Sequence, residues 1–157
     1  EVESFGEFAK RNNAVASTEV KSFEHLICTE QLSRRLGFKV GEELIRVVRV
    51  RSLNGNARQV DHGYFLESIA KGLTPEIAAK SIYGYLEHKR GVKVMASRRT
   101  VSVELANDED CSYLDLGKYN CVAVMESQSY TSDGILFEVT HARTHPEIFH
   151  YRVNSKR

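Results

Sequence analysis

Neither sign of charge dominates this chain: 22 lysines and arginines stand against 21 aspartates and glutamates, for a net charge of +1. A surface that binds nucleic acid by itself normally carries a basic excess or stripe, so the balance argues against that role for this segment. Long apolar runs are lacking too. None approaches the roughly 20 residues that cross a bilayer, and no secretory signal opens the chain. Cysteine is scarce, with Cys28, Cys111 and Cys121 scattered and no CxxC pair among them. Reduced thiols in a cytoplasmic protein are a simpler reading of that set than a disulfide or a metal site. Catalytic signatures are missing as well: there is no GxSxG elbow, no GxxxxGK[ST] phosphate loop and no Rossmann glycine fingerprint. His141 and His145 are four apart, but in a strand-and-turn region that spacing does not bring two ligands together, and no further ligands complete a zinc set. Neither catalytic residues, a cofactor nor a metal is expected. What is present, 157 residues with 41% apolar and 27% charged side chains, suits one globular domain over 1–157. The first residue is Glu1 rather than Met, which suggests a fragment of a longer protein.

The order of local signals predicts a mixed fold. Ser4-Phe5-Gly6-Glu7 fits a capping box opening a helix to about Asn12. A strand is expected from about Ala16 to Cys28, then a helix from near Thr29 to Gly37. Pro75 suits a first helical turn. Ser81 opens another helix closed by Gly91, Val92 to Leu105 reads as a strand, and Asn107 caps a helix ending near Gly117. Two strands, about Cys121–Thr131 and Ile135–Ala142, are joined by Ser132-Asp133-Gly134, and beyond Pro146 a last strand is expected near Phe149–Val153. The expectation is α+β, with a mainly antiparallel sheet flanked by helices.

The stretch Glu43–Phe65 carries the most chemistry. Two strand-like runs flank Asn54-Gly55, the dipeptide best suited to a two-residue turn with positive φ. Alternation puts Ile45, Val47, Arg49, Arg51 and Leu53 on one face. A guanidinium on an apolar face needs a paired anion. A strict two-residue turn would also set Arg51 opposite Arg58, which destabilises a sheet. A negative group is therefore expected nearby, either an internal carboxylate or a bound anion, and arginine's planar fork suits phosphate. Ser4 and Ser81 sit at helix starts, where free N–H groups favour anions, although each also reads as a plain cap. Glu138 is a lone acid in an apolar strand segment.

Ser4-Phe5, Arg49-Val50-Arg51, Ser81-Ile82-Tyr83 with Leu86-Glu87, and Phe137-Glu138 occur in an order and spacing that resembles the UTRA effector-binding domain of GntR-family transcription regulators of the HutC type. The resemblance covers nearly the whole chain. It implies a chorismate-lyase-like fold, an N-terminal winged helix-turn-helix domain outside this fragment, operator DNA bound only through that domain, and a homodimer. It further implies a small-molecule effector, a sugar phosphate, with the phosphate held by Ser4, Phe5, Arg49, Arg51, Ser81 and Tyr83. Asp61 and Glu138 match acidic positions that bind sugar hydroxyls. Many members carry an arginine seven residues after that acid; here it is His145, with Arg143 two residues earlier as the candidate. A strict two-residue turn would put Asp61 opposite Val48, away from the arginines, so either the hairpin carries a bulge or Asp61 is outside the pocket. Asp108-Glu-Asp, Leu114-Asp-Leu and the spacing from Asp61 to Tyr64-Phe65 look most like the trehalose-operon repressors of that family, whose inducer is trehalose 6-phosphate. The fold relationship also admits a chorismate-lyase-like enzyme holding a small carboxylate, but no acid–base pair stands out for it.

Overall fold

The computed structural model describes residues 5–155. In chain order the elements are α1 (Phe5–Arg11), β1 (Ala16–Ile27), α2 (Glu30–Leu36), β2 (Glu43–Leu53), β3 (Asn56–Leu66), α3 (Pro75–Ala78), α4 (Ile82–His88), β4 (Val94–Leu105), α5 (Asp108–Tyr113), β5 (Cys121–Thr131) and β6 (Leu136–Thr144). The six strands form one sheet in the order β1-β2-β3-β6-β5-β4, and every neighbouring pair is antiparallel. The α+β antiparallel expectation holds.

The helix boundaries follow from capping. Thr29 accepts from the Leu32 amide at the start of α2, and Gly37 ends that helix with φ 94°, a left-handed turn that costs glycine nothing. Ser81 accepts from the Gly84 amide. Asn107 and Asp110 exchange side-chain and backbone bonds in a full capping box. The Ser4 cap expected for α1 lies outside the described residues. Two ends come early: α4 stops at His88 rather than near Gly91, and α5 stops at Tyr113 because Leu114 is already extended, with ψ 138°.

The strand expected near Phe149–Val153 does not form. Pro146 lacks the N–H that a ladder needs, and both neighbours of β6 are already taken by β3 and β5. Residues 146–155 run as turn and irregular chain, with Tyr151 51% and Val153 61% exposed.

The β2–β3 hairpin decides the geometry of everything that follows. Asn54 and Gly55 take φ of 50° and 79°, the paired left-handed residues of a primed turn. Leu53 then pairs with Asn56 and Ser52 with Ala57, but Arg51 pairs with Gln59. Arg58 is thus a bulge residue, and its carbonyl accepts from the His145 amide at 2.9 Å. The bulge removes the expected Arg51–Arg58 opposition and shifts the ladder by one, so Arg49 pairs with Asp61.

Two cores pack the sheet. The larger joins Ile45, Val47 and Phe65 with Leu36, Ala78, Ile82 and Leu86 of the helices and with Phe38 just beyond α2; the smaller joins Val48, Val50, Val60, Val122 and Val124 with Leu114 and Leu116. Val48, Val50 and Val60 alternate with the arginine-bearing positions, so the sheet has a front face carrying Arg49 and a back face carrying the smaller core.

Candidate functional site

Register places the front-face residues in rows across the strands. Arg51 of β2 lies in a row with Gln59, Thr144 and Ala123; Arg49 with Asp61, Ala142 and Met125; Val47 with Gly63, Thr140, Ser127 and Arg99; and Ile45 with Phe65, Glu138 and Ser129. The middle of this face is made of small side chains, Gly63, Thr140, Ala142 and Ser127, and charged groups stand around it.

At one end, Arg49 is 7% and Asp61 5% exposed. The Arg49 guanidinium donates twice to Asp61 Oδ2, through Nη2 and through Nε at 3.2 Å, and Nη1 donates to the Ala78 carbonyl at the end of α3. Arg49 is therefore satisfied by the protein itself. Arg51 is not. Its Nε is buried with no hydrogen-bond partner among the described residues, and the Phe5 ring of α1 lies 4.7 Å from its guanidinium carbon. Burial first, and repulsion from Arg49 second, lower its pKa to about 10 despite attraction from Asp61.

At the other end, Glu138 is 2% exposed. Tyr83 of α4 donates to its Oε1 at 3.2 Å and lies 3.4 Å from the Ser129 hydroxyl. Oε2 is buried and unpartnered among the described residues. Burial, reinforced by Asp61, pushes the Glu138 carboxyl up to about 7, against the opposing pull of Tyr83, Arg49 and Arg99. The Tyr83 hydroxyl is raised as well, by burial and by Glu138; the residue as a whole is 40% exposed, but its oxygen is turned inward onto the carboxylate. Ser81 is exposed and its hydroxyl accepts from Gly84 at 3.0 Å, capping α4 just before Tyr83.

Of the expected site residues, Phe5, Arg49, Arg51, Asp61 and Glu138 lie on or over this face and Tyr83 reaches it through Glu138; Ser81 caps α4 and bonds to no residue of the face, and Ser4 lies outside the described residues. Arg143 does not join them. It pairs with Val60 and Val124 on the back face, where its guanidinium grips Asp110 at 2.9 Å and reaches Glu104 at 3.3 Å. An odd number of residues from Glu138 places it on the other side of the pleat, so it anchors α5 instead. His145 follows it off the sheet, bonded to the Asp115 carbonyl. Arg99 was not among the expected residues, yet the signal was there: it alternates with Val101 and Val103 much as Arg49 and Arg51 alternate with Ile45 and Val47.

A groove of about 480 Å³ on the back face is lined by Arg46, His62, Tyr64, Glu126, His141 and Arg143, among others. Its charges are largely matched within the protein: His62 with Glu109 at 2.5 Å, His141 with Glu126 at 3.0 Å, Arg46 with Glu24 at 2.7 Å. Paired charges have little left to offer a ligand. Of the four buried side-chain atoms without a partner among the described residues, three (Arg51 Nε, Arg99 Nε and Glu138 Oε2) sit on the front face. Buried polar atoms normally find partners, so the front face is the stronger candidate. No group of three or more metal-ligating side chains occurs among the described residues.

Fold and front face together define an α+β domain whose antiparallel sheet presents buried, unpartnered charged atoms on one face. The chain belongs to the UTRA domain family, whose model matches residues 11–150. It is 28% identical over 148 residues to the HTH-type transcriptional regulator TreR of Bacillus subtilis, covering 94% of this chain and 62% of that protein. It is 21% identical over 141 residues to the HTH-type transcriptional repressor NagR of the same organism, covering 90% of this chain and 57% of the repressor. The chain thus spans less than two thirds of these relatives. Among solved structures, the effector-binding domain of the B. subtilis trehalose repressor superposes with TM-score 0.81 at 27% identity, over 90% of this chain and 98% of that one. PhnF from Mycobacterium smegmatis shares the fold, with TM-score 0.87 at 17% identity over 99% of this chain and 69% of that one. These relatives are named as regulators, not as lyases.

Proposed function

We propose that this chain is the effector-binding domain of a GntR-family, HutC-type transcriptional regulator that binds a phosphorylated sugar on the front face of its sheet. The observation that carries this is the division of labour there. Arg49 is neutralised by Asp61, whereas Arg51 keeps a buried Nε without a hydrogen-bond partner, and no anion among the described residues is bonded to it. A phosphate would supply that anion, and Arg51 can meet it with the bidentate fork that phosphate favours. Phe5 stacks over the guanidinium and covers that end, while Arg49 orients Asp61 and ties β2 to α3. Glu138 forms the hydroxyl-binding end, and Tyr83, expected among the phosphate-holding residues, is assigned to this end as well because its hydroxyl donates to Glu138. The likeness to TreR points to trehalose 6-phosphate as the first effector to test.

In this reading the rest of the regulator lies outside the fragment: a winged helix-turn-helix domain binds the operator, and two copies of the present domain form a homodimer. The effector would act by preferring one dimer geometry over another. No helix of the described residues is long and apolar enough to cross a membrane, and a regulator that binds operator DNA and a sugar phosphate would work in the cytoplasm.

Thermal unfolding tests the reading directly. A ligand at ~100 times its Kd adds about 2.7 kcal/mol. Trehalose 6-phosphate or glucose 6-phosphate is expected to raise the melting temperature, and the free sugars are not. If no sugar phosphate stabilises the domain, the assignment fails.

A further inference from the structure

Arg99 stands on β4 opposite Ser127, reaching the front face from the outer edge of the sheet. No ion pair or hydrogen bond joins it to a described residue, and its Nε is buried. Its charge nevertheless lowers the pKa of both Glu138 and Tyr83, so its guanidinium lies close enough for its field to act on both. Glu138 Oε2 is likewise buried and unpartnered. A guanidinium and a carboxylate that feel each other would ordinarily bond directly, since a charge-assisted pair satisfies both. Here the direct bond is not made, and two buried polar atoms are left unsatisfied, which costs free energy.

The ligand chemistry follows from what satisfies both groups at once. A phosphate or carboxylate would suit Arg99 but repel ionised Glu138. An ammonium group would suit Glu138 but repel Arg99. An alcohol hydroxyl serves both, accepting from the guanidinium through oxygen and donating its proton to the carboxylate. We propose that Arg99 is a ligand-contacting residue of this site, acting with Glu138 to read a sugar hydroxyl at the end of the pocket remote from Arg51. This rests on the proposed effector role of the front face and adds a contact from the edge strand. The rival explanation is that an inward charge on an edge strand merely blocks edge-to-edge aggregation.

Calorimetric titration of the chain with trehalose 6-phosphate, glucose 6-phosphate and inorganic phosphate separates these. Wild type should bind at least one sugar phosphate more tightly than inorganic phosphate. Arg99→Ala should weaken that sugar phosphate by about tenfold or more, as loss of a charged hydrogen bond does, while leaving inorganic phosphate within about twofold. Arg99→Gln, which keeps a donor, should fall between, and it decides by the same criteria if Arg99→Ala aggregates. Sugar-phosphate binding unchanged from wild type overturns the role of Arg99. Equal losses for both probes also overturn it, because Arg99 would then belong to the anion end. A wild type with no preference for sugar phosphate over phosphate overturns the effector reading itself, and shows this before any variant is made.

Discussion

Two arginines a single alternation apart illustrate how burial alone does not define a role. Arg49 is closed by Asp61 and Ala78, so it is part of the fold. Removing its partner leaves a buried, uncompensated charge, and Asp61→Ala is expected to cost about 3–5 kcal/mol in urea unfolding. Arg51 lacks a bonded anion among the described residues and sits with a depressed pKa. Replacing it with an apolar residue of similar length removes a desolvated charge, so Arg51→Met is expected to keep or raise the ligand-free melting temperature while abolishing the response to sugar phosphates. Such opposed effects on stability and binding mark a residue held for function; a clear loss of ligand-free stability would show instead that Arg51 is structural. Glu138 adds a pH dependence. Its folded pKa of about 7 lies above the 4.5 ordinary for a glutamate carboxyl, so the folded state binds the proton more tightly than the unfolded state. The stability this confers is complete below about pH 4.5 and is lost as pH rises through 7. Glu138→Gln should therefore match wild type most closely at low pH and gain on it steadily up to pH 8, read as melting temperature across that range.

Local chemistry made the elements legible, and the ladder register was not. Caps at Thr29, Ser81 and Asn107, the glycine stop at Gly37 and the Asn54-Gly55 turn all appear where short-range rules put them. The bulge at Arg58 is not legible locally, because it is fixed by partners far along the chain: its carbonyl meets the His145 amide and its guanidinium reaches Glu147. That single extra residue decides that Asp61 faces Arg49. The absent final strand failed for a related reason, since alternation at Phe149, Tyr151 and Val153 says nothing about whether a free edge is within reach. The front face could be sketched from Arg49, Arg51 and Glu138, but its small-residue floor required the rows across four strands. Gly63 in that floor tests the packing. A Cβ there would lie 2.7 Å from the Phe65 ring, and Phe65 is fully buried beside Glu138. Gly63→Ala is expected to destabilise by about 1–3 kcal/mol, the usual cost of overpacking. It should also weaken sugar-phosphate binding more than inorganic phosphate binding, because the displaced ring is at the Glu138 end; a neutral effect on stability would mean that the ring moves aside freely.

For the molecule as a whole, the open sheet ends in two edges, and they differ in character. β1 lies against α1, Phe23 and Leu26 pack on the larger core, and its partner strand β2 is largely buried. β4 is as long but barer: all of its twelve residues except Val94 and Arg99 are exposed, including Val101, Val103 and Leu105 at 40%, 72% and 74%. A long edge strand with exposed apolar side chains invites pairing with another strand. Antiparallel pairing of two copies centred on Val101 would place Arg98 of each beside Glu104 of the other and set Val101 against its own copy on the two-fold axis, so the strand is complementary to itself, as an isologous interface requires. If the proposed regulator is a homodimer, β4 is the edge we propose for its interface; the same strand carries Arg99, so effector contacts there would bear directly on the dimer geometry. Sedimentation velocity at micromolar concentration is expected to show a dimer for wild type. Val101→Lys, which sets like charges face to face across the axis, is expected to give a folded monomer that still binds sugar phosphate. A wild-type monomer would remove dimerisation from this domain's role, and a Val101→Lys dimer as stable as wild type would move the interface off β4.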